Sequence, residues 1–229
     1  MQLANITQPF VLLCEGMHDS EFFRNLISSR NLPDFEICSV NYVLGASTNS
    51  GGGNTRFTEA LDALPALPGF EGVQKILVVA DNDQNPNNEF QRIVGAINAT
   101  APIIGPPASK FTAPGAPQTK AGKNPEIVVL MLPWTGVLGS LSTMCLQAAQ
   151  NAAPKIAKCV DQLASCAGAD NWPQNKLAKM KLHTIIASSH QQKPNLSPAY
   201  VWSENTNLVP LGDTIFDQVA AFLQGFPAM

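Results

Sequence analysis

Charge is scarce in this chain of 229 residues: Asp, Glu, Lys and Arg together make up 14% of it, and aromatic residues only 7%. The net charge is −3, so the basic stripe of an ordinary nucleic-acid binder is missing. No apolar run reaches the ~18–20 residues that a membrane-spanning helix needs. The opening residues, MQLANITQPF, lack the basic start and long apolar stretch of a secretory leader. These absences lead us to expect a cytoplasmic protein with no membrane partner. The five cysteines (Cys14, Cys38, Cys145, Cys159, Cys166) are odd in number and form no Cys-x-x-Cys pair, which argues for reduced thiols and against structural zinc. No Gly-x-Ser-x-Gly elbow supports a serine triad, and no Lys-Ser/Thr follows a glycine run as a Walker A loop would require.

What is present is apolar and punctuated. Hydrophobic residues make up 45% of the chain, enough for a sizeable core. Short apolar runs at PFVLLC (9–14), FEICSVNYV (35–43), KILVVA (75–80) and EIVVLML (126–132) read as strands. Between them, EGMHDSEFFRNLISSR, TRFTEALDAL and NNEFQRIVGAINAT read as helices, Phe22, Phe23, Leu26 and Ile27 recurring at helical spacing in the first. Alternation of strand and helix predicts an α/β fold with a mainly parallel sheet of about four strands. Residues 101–125 are rich in proline, hold three lysines and no acid, and read as a long loop. Helices are expected at 137–150, 154–167, 173–188 and 213–224. The chain thus divides into an α/β part, 1–135, and a helical extension, 136–229, packed on the same core. Acids dominate the first 100 residues, 11 against 5 basic; the remainder carries 9 basic against 6 acidic.

Ligands of an open α/β sheet bind beyond the carboxyl ends of its strands. The first strand runs into Glu15 and the third into Asp81 and Asp83. With these strands adjacent and the second outside them, three carboxylates share one crevice. Their mutual repulsion makes at least one harder to ionise, and a hard divalent cation, Mg²⁺ or Mn²⁺, relieves it. An Asp-x-Asp after a strand also serves as a turn and helix cap, and that reading stays open.

The combination of VLLCEGMHDSEFF with KILVVADNDQNP resembles the TOPRIM domain of topoisomerases, bacterial primases and OLD-family nucleases, over residues 9–100. In that family a Glu follows the first strand and an Asp-x-Asp the third. The resemblance maps these onto Glu15, Asp81 and Asp83, the following glycine onto Gly16, and a further acid onto Asp19. GGGNTRFTEALDAL, KMKLHTIIAS and PLGDTIFDQVAAFL are similar to segments of a small stand-alone branch related to the OLD nucleases. The resemblance implies a TOPRIM-type Rossmann-like fold and phosphoryl transfer, most simply hydrolysis of a nucleic-acid phosphodiester. It implies Glu15, Asp81, Asp83 and Asp19 around metal, and Lys179 offsetting charge. Lys176 lies three residues earlier on the same helical face, whereas Lys181 points elsewhere. Gly52, Gly53 and Arg56, in GASTNSGGGNTR, are candidates for phosphate contact, with a plain connector as the other reading.

One departure stands out. Where such proteins present Gly-x-Leu-Glu after the fourth strand, this chain reads TGVLGSLSTMC, with Gly139 in the position of the Glu and no acid between Glu126 and Asp161. A second metal would lack a ligand. A non-catalytic module that binds metal, nucleotide, nucleic acid or a protein partner is therefore the competing expectation, and a sugar-nucleotide transferase a third. Homo-oligomerisation is left open. His18, His183 and His190 form no ligand cluster in sequence, and Trp134, Trp172 and Trp202 are expected to pack rather than stack on bases.

Overall fold

The computed structural model describes residues 5–45, 56–100, 111–204 and 206–229. Its centre is a five-stranded sheet ordered β2-β1-β3-β5-β4. The strands are β1 (Phe10–Cys14), β2 (Glu36–Ser39), β3 (Lys75–Asp81), β4 (Lys120–Ala121) and β5 (Glu126–Leu132). All pairs are parallel except β4 with β5. The inner strands are near-continuous apolar runs because parallel strands bury both faces. In β3 every residue from Lys75 to Ala80 is buried.

Alternate side chains divide between two apolar layers. Leu12, Leu77, Val79, Val128 and Leu130 face helix α1 (Met17–Arg30) and the helices α5 (Leu141–Ala152), α6 (Pro154–Cys166), α7 (Gln174–Ser189) and α8 (Asp217–Gly225). Leu13, Ile76, Val78, Ile127 and Val129 face α3 (Phe57–Ala63) and α4 (Pro86–Asn98). The C-terminal helices thus share one core with β1, β3 and β5. In α1 the fully buried Phe22, Phe23 and Leu26 supply the stripe. Burying each such side chain contributes roughly 1.5–3 kcal/mol. Asn31, left-handed at φ 51°, ends that helix. No helix among the described residues is long and apolar enough to cross a membrane.

Four expectations need correction. FEICSVNYV is a strand only to Ser39. There the chain turns into α2 (Val40–Val43), with the Ser39 hydroxyl accepting from the Tyr42 amide at 3.3 Å. Residues 111–125 of the proline-rich stretch are not wholly irregular: Lys120 and Ala121 pair antiparallel with Ile127 and Val128, adding a fifth strand. Proline restricts this to a short edge pairing. The helix expected from 137 begins at Leu141, because 133–139 forms a strap across the end of the sheet. Likewise Thr214–Phe216 is a 3₁₀ turn leading into α8.

Candidate functional site

β1 and β3 are neighbours, with Leu13 opposite Val78, and β2 lies outside them. Glu15 and the Asp81–Asp83 turn therefore leave the sheet at the same rim. Asp19 joins them from the first turn of α1, where its Oδ2 accepts from the Gly16 amide at 2.9 Å. The close approach shows in the ionisation of the group. Burial first, then the Glu15 charge, pushes Asp19 up to about 7, against the pull of the Gly16 amide and Lys179. Asp81 is raised well above the ordinary carboxylate range by burial first, then by Asp19, Glu15 and Asp83, against the Leu141 amide. The four acids thus feel one another through a crevice that water screens poorly.

Asp19, Asp81 and Asp83 are each positioned by backbone or amide groups. Asp81 Oδ1 accepts from the Leu141 amide, in the first turn of α5, at 2.8 Å. Asp83 sits at φ 46°, its carbonyl accepts from the Gly139 amide at 2.9 Å, and its Oδ1 accepts from Asn175 Nδ2 at 2.9 Å. Between them Asn82 is fully buried. Its Nδ2 donates to the carbonyls of Trp134 and Val137, both at 2.7 Å, and its amide donates to the Leu132 carbonyl at 2.8 Å. The middle residue of Asp-Asn-Asp therefore ties the strap after β5 to the tip of β3. Oδ2 of Asp81 and of Asp83 engages in no hydrogen bond among the described residues. As the side chains stand, no three His, Cys, Asp or Glu among the described residues are gathered closely enough to hold a metal ion. The acids share a crevice without forming a closed cage.

The basic side of the crevice comes from α7. Lys179 is exposed, yet its charge bears on Asp19, His18 and His183. Lys176 is exposed one turn earlier. Lys181 turns away to Asp161 at 2.9 Å, as its helical position predicts. Arg56 is held by Glu59 at 3.1 Å and Asn41 at 3.2 Å. Gly52 and Gly53 lie outside the described residues.

Residues 9–226 match the model of a family described as "Protein of unknown function (DUF3226)". The chain belongs to that family. No curated protein and no solved structure shows a significant match. In this DUF3226 chain several site residues escape a reading of motifs. Asn82, Asn175 and the Leu141 amide act through hydrogen bonds that only the assembled fold creates. His18 is stacked on Trp202, with ring centroids 5.9 Å apart, and its Nε2 is buried without a hydrogen-bond partner. Burial first, then Lys179 and His183, lowers its pKa to about 4, so it is neutral at pH 7. Its place beside Asp19 was the signal. Trp202 packs as expected, against Phe22, and donates Nε1–H to the Val209 carbonyl at 3.0 Å.

Gly139 explains the departure noted in the sequence. Its φ is +125°, and a Cβ there would lie 2.5 Å from Thr143 Oγ1. A glutamate does not fit this backbone. The neighbouring thiols are not nucleophiles: burial pushes Cys14 well up and Cys38 up to about 12. Two cavities along α1, of about 340 and 590 Å³, contain none of the four acids.

Proposed function

We propose that the chain is a divalent-cation-dependent phosphodiester hydrolase of the TOPRIM type, acting on nucleic acid. The observation that carries this reading is the electrostatic state of the crevice. Asp19 and Asp81 are both raised, by burial first and then by the neighbouring acids, so the crevice as it stands disfavours full ionisation, a penalty that a bound cation would remove. Oxygen donors in that state suit Mg²⁺ or Mn²⁺. Asp81 and Asp83 would hold the ion, with Glu15 and Asp19 beside them. Such an ion, when bound, polarises a phosphate oxygen and lowers the pKa of its water.

The chain's own residues supply the rest. The Leu141 and Asn175 donors fix Asp81 and Asp83, so that only their free oxygens face the crevice. Glu15, at the end of β1, would take a proton from the attacking water as general base. Lys179 offsets charge developing on the phosphate. Gly16 keeps Asp19 aimed inward through its amide.

A second reading, a binding module without catalysis, draws on Gly139. The backbone there excludes the acid that a second ion would need. One experiment separates the two. Single-stranded, duplex and circular DNA and RNA are incubated with Mg²⁺ or Mn²⁺ and either wild-type protein or Asp81→Asn. Cleavage by wild type that the variant loses supports the hydrolase. If both proteins bind a substrate and leave it intact, the module reading replaces it.

A further inference from the structure

A groove of about 370 Å³ lies between the strap, α5 and α7, the elements whose Leu141 amide and Asn175 side chain hold Asp81 and Asp83. Its volume falls in the range of small-molecule sites. Val137 and Leu138 of the strap form one wall and are 48% and 51% exposed, high values for such side chains. Leu177 adds apolar surface from α7. Gln147 and Gln150 on α5 and Gln174 on α7 bring three side-chain amides, none hydrogen-bonded among the described residues.

The chemistry of this lining narrows its ligand. No carboxylate lines the groove, so it does not attract a cation. Its one lysine, Lys181, is already paired with Asp161 at 2.9 Å, so an anion finds no free partner. A purely apolar ligand would leave three amides without partners, which is costly on burial. What fits is an uncharged ligand with apolar faces and donors and acceptors around its edge. A glutamine amide presents both a donor and an acceptor, the pattern that base edges complement. Apolar side chains can hold the faces of an unstacked base.

The groove and the acids are also built from the same parts. The Val137 carbonyl accepts from Asn82, the residue between the two aspartates. Gln174, Leu177 and Lys181 form one row of α7, and Asn175 and Lys179 the adjacent row. Thr143 lines the groove one half-turn beyond Leu141, which holds Asp81.

We propose that this groove is a nucleobase subsite, receiving one unstacked base of the strand whose phosphate lies at the acids. It deepens the hydrolase reading and rests on it only for that phosphate.

The test uses uncharged nucleosides in EDTA, so that neither metal nor phosphate contributes. Saturation-transfer NMR is recorded for adenosine, guanosine, cytidine and uridine with wild-type protein, Asp81→Asn and Leu138→Ala/Gln147→Ala. Both residues of the double variant are exposed, so folding is expected to persist, and circular dichroism checks it. The expected result is transfer to base protons of at least one nucleoside, kept in Asp81→Asn and reduced at least fivefold in the double variant. No transfer to any base, or equal transfer in the double variant, overturns the proposal. Should the double variant unfold, Gln174→Ala alone carries the same comparison. Base binding without Mg²⁺-dependent cleavage would sink the hydrolase and leave the subsite standing. Cleavage with no base binding would do the reverse.

Discussion

The amide of Leu141 donates to Asp81 Oδ1 at 2.8 Å, across sixty residues of sequence. The first turn of α5 thus holds an aspartate whose ionisation the rest of the crevice opposes. Asp81→Asn keeps an acceptor for this amide and removes one of the crowded charges. We expect the variant to be more stable than wild type in EDTA, because burial and the neighbouring acids disfavour the ionised aspartate. Mg²⁺ should raise the Tm of wild type and leave that of the variant unchanged. Thermal unfolding with and without Mg²⁺ reads both effects.

Stability should depend on pH through groups that oppose one another, the raised Asp19 and Asp81 against the lowered His18. Asp19 has a folded pKa of about 7, above its unfolded value of ~3.9. Its contribution is fully present below ~4 and is lost as pH rises through 7. His18 has a folded pKa of about 4, below its unfolded value of ~6.5. Its contribution is present above ~6.5 and is lost as pH falls through 4. Between those limits the two slopes oppose one another. Asp81, also raised, acts in the same sense as Asp19, so urea denaturation of Asp19→Asn/Asp81→Asn in EDTA should show stability rising with pH from 4 to 6.5. His18→Gln should show it falling from 4 to 7. A flat profile in both variants would contradict the electrostatics of the crevice.

Restoring the absent acid should fail. Gly139→Glu requires a non-glycine residue at φ +125° and a Cβ against Thr143 Oγ1, and it strains the backbone bridge to Asp83. We expect a loss of about 2 kcal/mol or more, from backbone strain and steric overlap together. Gly139→Ala should lose nearly as much. A fully stable Gly139→Glu protein would show that the strap can rearrange.

Asn82→Ala removes two side-chain hydrogen bonds and leaves the Trp134 and Val137 carbonyls without them. A loss of about 2–3 kcal/mol is expected. Hydrogen exchange should rise selectively at 134–139, and Asp83 should lose its hold on Gly139. Global unfolding free energy and amide exchange, measured on one sample, test whether the strap is anchored by this one side chain.

The sheet was largely legible because its strands are buried on both faces and read as uninterrupted apolar runs. EIVVLML matches β5 residue for residue, and KILVVA differs from β3 only by Asp81. The adjacency of β1 and β3, which the three-carboxylate crevice requires, is met in the strand order. What misled was local. FEICSVNYV keeps an apolar pattern through Val43, but Ser39 caps a helical turn that the pattern cannot reveal. The Lys120–Ala121 edge strand is two residues among prolines, and only β5 defines it. In the crevice, charge type and strand ends pointed to the acids. The amides that orient them were hidden, because Asn175 and Leu141 meet Asp83 and Asp81 only after α5 and α7 have docked.

That last dependence reaches beyond the crevice itself. Acids from positions 15–19 and 81–83 meet through the β1–β3 pairing, but the donors that orient Asp81 and Asp83 come from Leu141 and Asn175. No fragment that stops before α7 carries the complete arrangement. Ion uptake there would be a reporter of tertiary structure: weakened in a polypeptide truncated before α7, and gained in full once that helix has docked.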